Sequence, residues 1–205
     1  MHEQALTKEA SVLFPELAKF EEFYLVGGTA LALQIGHRLS VDFDMFSSGE
    51  LPINLLQKIK RTFSGSSVAV TYSSHEQLNV VIGGVQATFL SYPYPIIDPL
   101  ISYREVSLAG VREIAAMKAF SLGKRLSYKD YVDWYFLLHE KHVLLEKVIA
   151  LSQKKFRNDF NDRLFLGQLT LMEDIPFQKI EFLRDPVDQA TVQKFLKEAV
   201  RLAVR

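Results

Sequence analysis

The stretch Val26–Phe46, VGGTALALQIGHRLSVDFDMF, begins with two adjacent glycines and ends with two aspartates set between apolar residues. The apolar run FYLV (23–26) stops at Gly27 and Gly28 and predicts a short buried strand followed by a sharp turn. TALALQIG then predicts a helix closed by Gly36, and SVDFDMF alternates at period two as a second strand. On a strand, residues i and i+2 face the same way with Cα atoms about 6.5 to 7 Å apart. Asp42 and Asp44 are therefore expected side by side, with Val41, Phe43 and Met45 anchoring the other face. Like charges repel there and aspartate is a poor strand former, so the pair implies a positive charge that the chain itself does not supply.

Working outward, residues 6–20 carry apolar positions at helical spacing and predict an opening amphipathic helix. SSGELPINLLQKIKRTF predicts a serine-capped surface helix with Leu51, Leu55, Leu56 and Ile59 on its apolar face. VAVTYS, LNVVI and VQATFLS read as strands, the last two joined in a tight hairpin at Gly83 and Gly84. YPYPIIDPL, with Pro93, Pro95 and Pro99, breaks regular structure and is the expected boundary between lobes. After a short strand at REVSL the pattern turns helical to the end. The expected fold is α+β: a mixed sheet with flanking helices over residues 1–98, then a mainly helical lobe over 99–205.

Lys plus Arg and Asp plus Glu both number 24, so no global basic field draws nucleic acid, and any such partner must be held by a local patch. With no cysteine the chain has no disulfides or thiolate metal sites. Its first residues lack the apolar core of a signal peptide, and no run of eighteen or so apolar residues occurs. A cytoplasmic protein without a membrane partner is expected.

Two carboxylates on one strand face suit magnesium, which takes a few carboxylates plus phosphate oxygens rather than a closed protein cage. Gly27 and Gly28, after a strand and before a helix, can turn bare backbone N–H groups and the positive helix end toward an anion, and Thr29 adds a hydroxyl donor. Each feature has a structural reading as well: glycine needed only for its dihedrals, or one aspartate capping a helix and the other paired with Arg38. Taken together, a phosphate cradle and a metal-binding pair separated by one short helix predict a metal-bound nucleoside triphosphate and phosphoryl or nucleotidyl transfer. No third glycine stands where a dinucleotide fingerprint requires it.

VGGTALALQIGHRLSVDFDMFS together with EIAAMKAFSLGKRLSYKDYVDWYFLL resembles the AbiEii/AbiGii toxin family of nucleotidyltransferases, a branch of the DNA polymerase beta superfamily. The resemblance implies that Gly27, Gly28 and Thr29 bind NTP and that Asp42 and Asp44 bind Mg2+ or Mn2+ and are catalytic. It also places Arg38 and Ser40 in the GHRxSxDxD run, and Lys118, Lys129 and Asp130 in a later Lys and Lys-Asp motif, with Lys118 and Asp130 catalytic and Lys129 nucleotide-binding. The implied acceptor is RNA, at the 3′ end of tRNA, and the implied partner is a cognate antitoxin.

Lys118 is also notable physically, because it shares a helix face with Ile114, Ala115 and Leu122, where a lone ammonium loses hydration that a triphosphate would offset. Asp130 is preferred over Asp133, for which a helical pair with Lys129 is the simpler reading. His37 could touch phosphate but reads as a surface or packing residue, and the aromatics Tyr131, Trp134, Tyr135 and Phe136 read as core rather than a base-stacking platform, whereas KRLSYK (124–129) and KKFR (154–157) are candidate RNA contacts or solvated faces. Related enzymes generally add a third carboxylate from a neighbouring strand, and its place falls on Thr88. Either another acid such as Asp98 or Asp130 serves, or two aspartates run the reaction slowly, or the chain only binds nucleotide. The rival function is thus a silent nucleotide-sensing or partner-binding module. A sugar-nucleotide transferase would leave the glycine turn and Lys118 unexplained.

Overall fold

The computed structural model describes residues 1–122, 124, 127–173, 175–176 and 178–203, divided into two units, Met1–Gly110 and Val111–Arg205. Arg125 and Leu126 of KRLSYK lie outside the described residues.

The first unit opens with helix α1 (Lys8–Leu13), capped by Thr7, whose Oγ1 accepts from the Ala10 N–H at 3.1 Å. The single helix expected over 6–20 is divided, with a 3-10 stretch taking over at Phe14–Lys19. Pro15 is the reason, since it has no N–H to donate and its ring crowds the preceding turn. Strand β1 (Tyr24–Val26) is wholly buried and leads into α2 (Gly27–Ile35), which ends at Gly36 in the left-handed conformation. Ala30, Leu31, Ala32 and Leu33 of α2 are all fully buried, the mark of a helix with core on every side.

Strand β2 (Phe43–Ser47) begins one residue after Asp42, and α3 (Leu55–Thr62) buries Leu55 and Ile59 while Leu51 and Leu56 are only half-buried. Asn54, not a serine, stands at the start of α3 without a side-chain cap, and Ser47 instead accepts from the Gly49 N–H at 3.1 Å in a turn. Strands β3 (Val68–Ser73), β4 (Gln77–Ile82) and β5 (Val85–Ser91) follow. The β4–β5 hairpin turns on Gly83 (φ 54°) and Gly84 (φ 89°), between the paired residues Ile82 and Val85. Two successive positive φ angles are the requirement of a tight hairpin turn that glycine meets without strain.

The boundary expected after residue 98 falls later. Beyond the proline segment the chain returns to the sheet as β6 (Ile101–Tyr103) and β7 (Val106–Leu108), and β7 pairs in parallel with β1 through Leu25 and Leu108. Backbone pairing with a strand laid down far earlier in the chain, invisible to local composition, holds this segment in the first unit. The order is β3-β4-β5-β2-β1-β7-β6. β2 runs antiparallel to β1 and parallel to β5, so the sheet is mixed. Phe43, Met45, Ala87 and Phe89 are buried on one face, where Phe89 meets Phe20 and Phe23 with ring centroids 5.3 and 5.2 Å apart.

The second unit contains α4 (Val111–Ser121), α5 (Tyr128–His139), α6 (Leu145–Phe156), α7 (Asp162–Thr170) and α8 (Gln189–Ala203). Tyr131, Trp134 and Phe136 are buried and Tyr135 is half-buried. Trp134 packs on Phe165 at 5.2 Å, and the Tyr131 hydroxyl lies within hydrogen-bond reach of the Gln168 and Leu171 carbonyls, at 3.1 and 3.0 Å.

Candidate active site

In the first unit the site is built around the β1–α2 turn. Gly27 has φ +69°, and a Cβ built on it would lie 2.2 Å from Oδ2 of Asp44. Only a residue without a side chain lets the turn approach that carboxylate while holding a left-handed φ. The register is consistent, since Val26 faces Asp44 across the β1–β2 ladder. A Cβ on Gly28 would likewise lie 2.7 Å from an Arg38 guanidinium nitrogen. Gly27 is therefore needed for close approach, Gly28 leaves space for the Arg38 guanidinium, and side chains at 38 and 44 meet the turn. The substitution Gly27→Ala is expected to cost about 1–3 kcal/mol in stability from backbone strain and to displace Asp44. Thermal melting with a nucleotide-transfer assay checks it, and an unchanged melt with unchanged turnover would contradict this reading.

Thr29 and Ser40 are buried, and their hydroxyls meet at 2.8 Å. Thr29 also donates to the Asp42 carbonyl. A carbonyl only accepts, so the Thr29 proton goes there and the Ser40 proton serves the contact between the two hydroxyls. Thr29 and Ser40 thus tie the start of α2 to the segment carrying Asp42, a linkage that sequence reading did not anticipate. Arg38 is also buried and donates to the Leu39 carbonyl at 3.0 Å, and His37 is fully buried, in agreement with a packing role.

Asp42 and Asp44 are half-exposed, whereas Phe43 and Met45 are buried beneath them. Val41, expected to share that anchoring face, is 38% exposed, because the strand begins only at Phe43. Thr88 pairs directly with Asp44 in the β2–β5 register. A hydroxyl therefore occupies the place beside Asp44 from which a neighbouring strand would offer a carboxylate. Asp98 lies half-buried in the proline segment. Among the described residues no three His, Asp or Glu side chains group as a metal cage. Asp44 lies on β2 and Asp42 just before it, and carboxylates are the hard donors that magnesium takes.

In the second unit, Lys118 on α4 places its Nζ 2.9 Å from Oδ1 of Asp130 and 2.6 Å from Oδ2 of Asp133, all three buried. The ammonium, expected to be stranded on an apolar surface, is balanced from α5, where acids three residues apart share a face. Asp133 thus pairs with Lys118 rather than serving only the expected partner, Lys129, which is half-buried. A second buried pair joins Lys155 of α6 to Glu113 of α4 at 2.6 Å. Lys155 is therefore no RNA contact, although its neighbours Lys154 and Arg157 in KKFR are exposed. Lys124 is exposed, with Nζ 3.4 Å from the Phe120 ring centroid, and desolvation lowers its pKa.

The comparisons with known proteins give the class, a nucleotidyltransferase. The family model for the nucleotidyl transferase AbiEii toxin of type IV toxin–antitoxin systems matches residues 11–204. The chain belongs to the AbiEii family, and is a nucleotidyltransferase toxin of that type. It is 31% identical over 197 residues to the uncharacterized protein aq_aa25 of Aquifex aeolicus, covering 95% of this chain and 94% of that one. A crystal structure of a proposed nucleotidyltransferase from H. pylori superposes with TM-score 0.61 at 16% identity, covering 98% of this chain and 95% of that one. JHP933 from Helicobacter pylori superposes with TM-score 0.52 at 14% identity, covering 100% and 98%. These two likenesses show the fold. No helix among the described residues is long and apolar enough to cross a membrane.

Proposed function

We propose that the chain transfers a nucleotide from a magnesium-bound NTP to a hydroxyl of an RNA acceptor, such as the 3′ end of tRNA, in the cytoplasm, and that a cognate antitoxin restrains this activity. The observation that carries the proposal is the closure of the Gly27 turn onto the Asp44 carboxylate, which brings a backbone amide bend and a metal-binding acid together. Amides of Gly27 and Gly28 cradle phosphate oxygens, and the start of α2 adds its positive dipole end. Asp42 and Asp44 would hold Mg2+, or Mn2+, which when bound neutralises charge on the phosphates and on departing pyrophosphate. Thr29, Ser40 and Arg38 fix the turn and the Asp42 segment in place. Within the helical unit, Lys118 is neutralised and oriented by Asp130 and Asp133.

In the reaction the acceptor oxygen bonds to the α-phosphorus, the α–β bridging bond breaks, pyrophosphate leaves with the bond's electrons, and the acceptor proton passes to water. Thr88 has no carboxylate to take that proton. Thr88→Asp is therefore expected to raise kcat roughly ten- to hundredfold, within the range of general-base catalysis. An unchanged or lower kcat in a folded variant would show that the proton has another acceptor. The proposal itself is tested by incubating protein, labelled NTPs, magnesium and total RNA. Label in RNA with matching pyrophosphate release is expected; no transfer from any NTP would overturn it.

A further inference from the structure

The face of the sheet that carries Asp44 extends away from the glycine turn in a row of polar residues. Asp44 pairs with Thr88, Thr88 with Asn79, and Asn79 with Tyr72, across β2, β5, β4 and β3. Cross-strand partners share a face, and the burial of Phe43, Ala87 and Val80 on the opposite face agrees. With about 4.8 Å between neighbouring strands, Tyr72 stands roughly 14 Å from Asp44 along this row.

Tyr72 reaches the row through a β-bulge. Val70 pairs with Val80, and the register then shifts so that Tyr72, not Thr71, faces Asn79. Without the extra residue Tyr72 would oppose Leu78 and turn to the core face; a one-residue slip exchanges faces, and bulges re-aim side chains in this way. Thr71 marks the bulge by donating from Oγ1 to the Asn79 carbonyl at 3.3 Å. The result is a tyrosine 51% exposed on the outermost strand. Beside it, Gln77 Nε2 donates to Asn79 Oδ1 at 2.8 Å, which fixes the Asn79 amide so that its NH2 is available as a donor.

Strand order gives this row a direction. β1 and the glycine turn lie on one side of β2, and β5, β4 and β3 on the other. In-line displacement places the incoming hydroxyl opposite the departing pyrophosphate. Pyrophosphate held at the turn leaves on the β1 side, so the acceptor arrives over β5.

Resting on the proposed nucleotidyl transfer, we infer that Tyr72 and Asn79 form the acceptor subsite. Tyr72 stacks a base near the end of a single-stranded nucleic acid, and the Asn79 amide donates to an acceptor atom on a base edge. An exposed aromatic ring beside a fixed amide is the chemistry by which unpaired bases are held.

The test uses fluorescence anisotropy of the full chain with an end-labelled, mixed-sequence single-stranded RNA, alongside titration of a non-hydrolysable NTP with magnesium. Tyr72→Ala is expected to weaken RNA binding roughly ten- to hundredfold, the range of one lost base stack, with NTP affinity kept; Tyr72→Phe, which keeps the ring, restores RNA binding. Wild-type RNA affinity in Tyr72→Ala, or absence of RNA binding by the wild type, overturns the inference. Loss of NTP affinity alone also overturns it, by giving the ring to the incoming nucleotide. Tyr72-dependent RNA binding in a protein that transfers nothing would instead remove the proposed reaction and leave the subsite standing.

Discussion

Asp44→Asn is expected to lower nucleotide transfer by about a hundred- to a thousandfold, the scale of removing one preorganised electrostatic group from a transfer site. The carboxamide keeps the size of the side chain, so it still fits against the Gly27 turn, where a Cβ on the glycine would lie 2.2 Å from Oδ2. What it removes is the charge proposed to draw a divalent cation to the strand. The chain contains no cysteine, and the described residues hold no third acid or histidine grouped with this pair, so no neighbour compensates for the loss. Turnover with labelled NTP, read beside a thermal melt, measures the effect. A folded Asp44→Asn protein with wild-type turnover would show that the metal, or the reaction, lies elsewhere.

The largest stability effect is expected at the other buried charge of the helical unit. Lys155 and Glu113 meet at 2.6 Å with both side chains fully buried, joining α6 to α4. Lys155→Met leaves a carboxylate inside the unit without this partner, and breaking a buried pair from one side costs about 3–5 kcal/mol. For a chain of this size that corresponds to a fall in Tm of roughly 10 °C. Replacing both partners, Lys155→Met with Glu113→Leu, is expected to recover most of the loss, because the cost lies in burying one charge without the other rather than in the missing bridge. Calorimetry on the two proteins tests this. A single variant within about 0.5 kcal/mol of wild type, the usual range for a surface change, would contradict it.

Much of the first unit could be read locally. Two glycines after a short apolar run, then a helix pattern, then period-two alternation are signals within a few residues of one another, and β1, α2 and β2 follow them. What escaped depends on partners distant in sequence. The pairing of Leu25 with Leu108 keeps the segment beyond the prolines in the sheet. KKFR reads as a charge run because nothing local says that α6 turns Lys155 toward Glu113. Lys118 looked stranded for the same reason, since Asp130 and Asp133 come from the next helix. Tyr72 had no signal in its own strand, because VAVTYS contains neither glycine nor proline to announce the bulge that re-aims it.

On the proposed function, one metal-bound triphosphate answers both the glycine turn and the aspartate pair. Titration calorimetry of a non-hydrolysable NTP tests it most directly, on the wild type with and without magnesium and on the Asp42→Asn, Asp44→Asn double variant. Saturable binding that requires magnesium and disappears in the double variant is the predicted result. Equal binding without the metal, or undiminished binding by the double variant, would contradict the account.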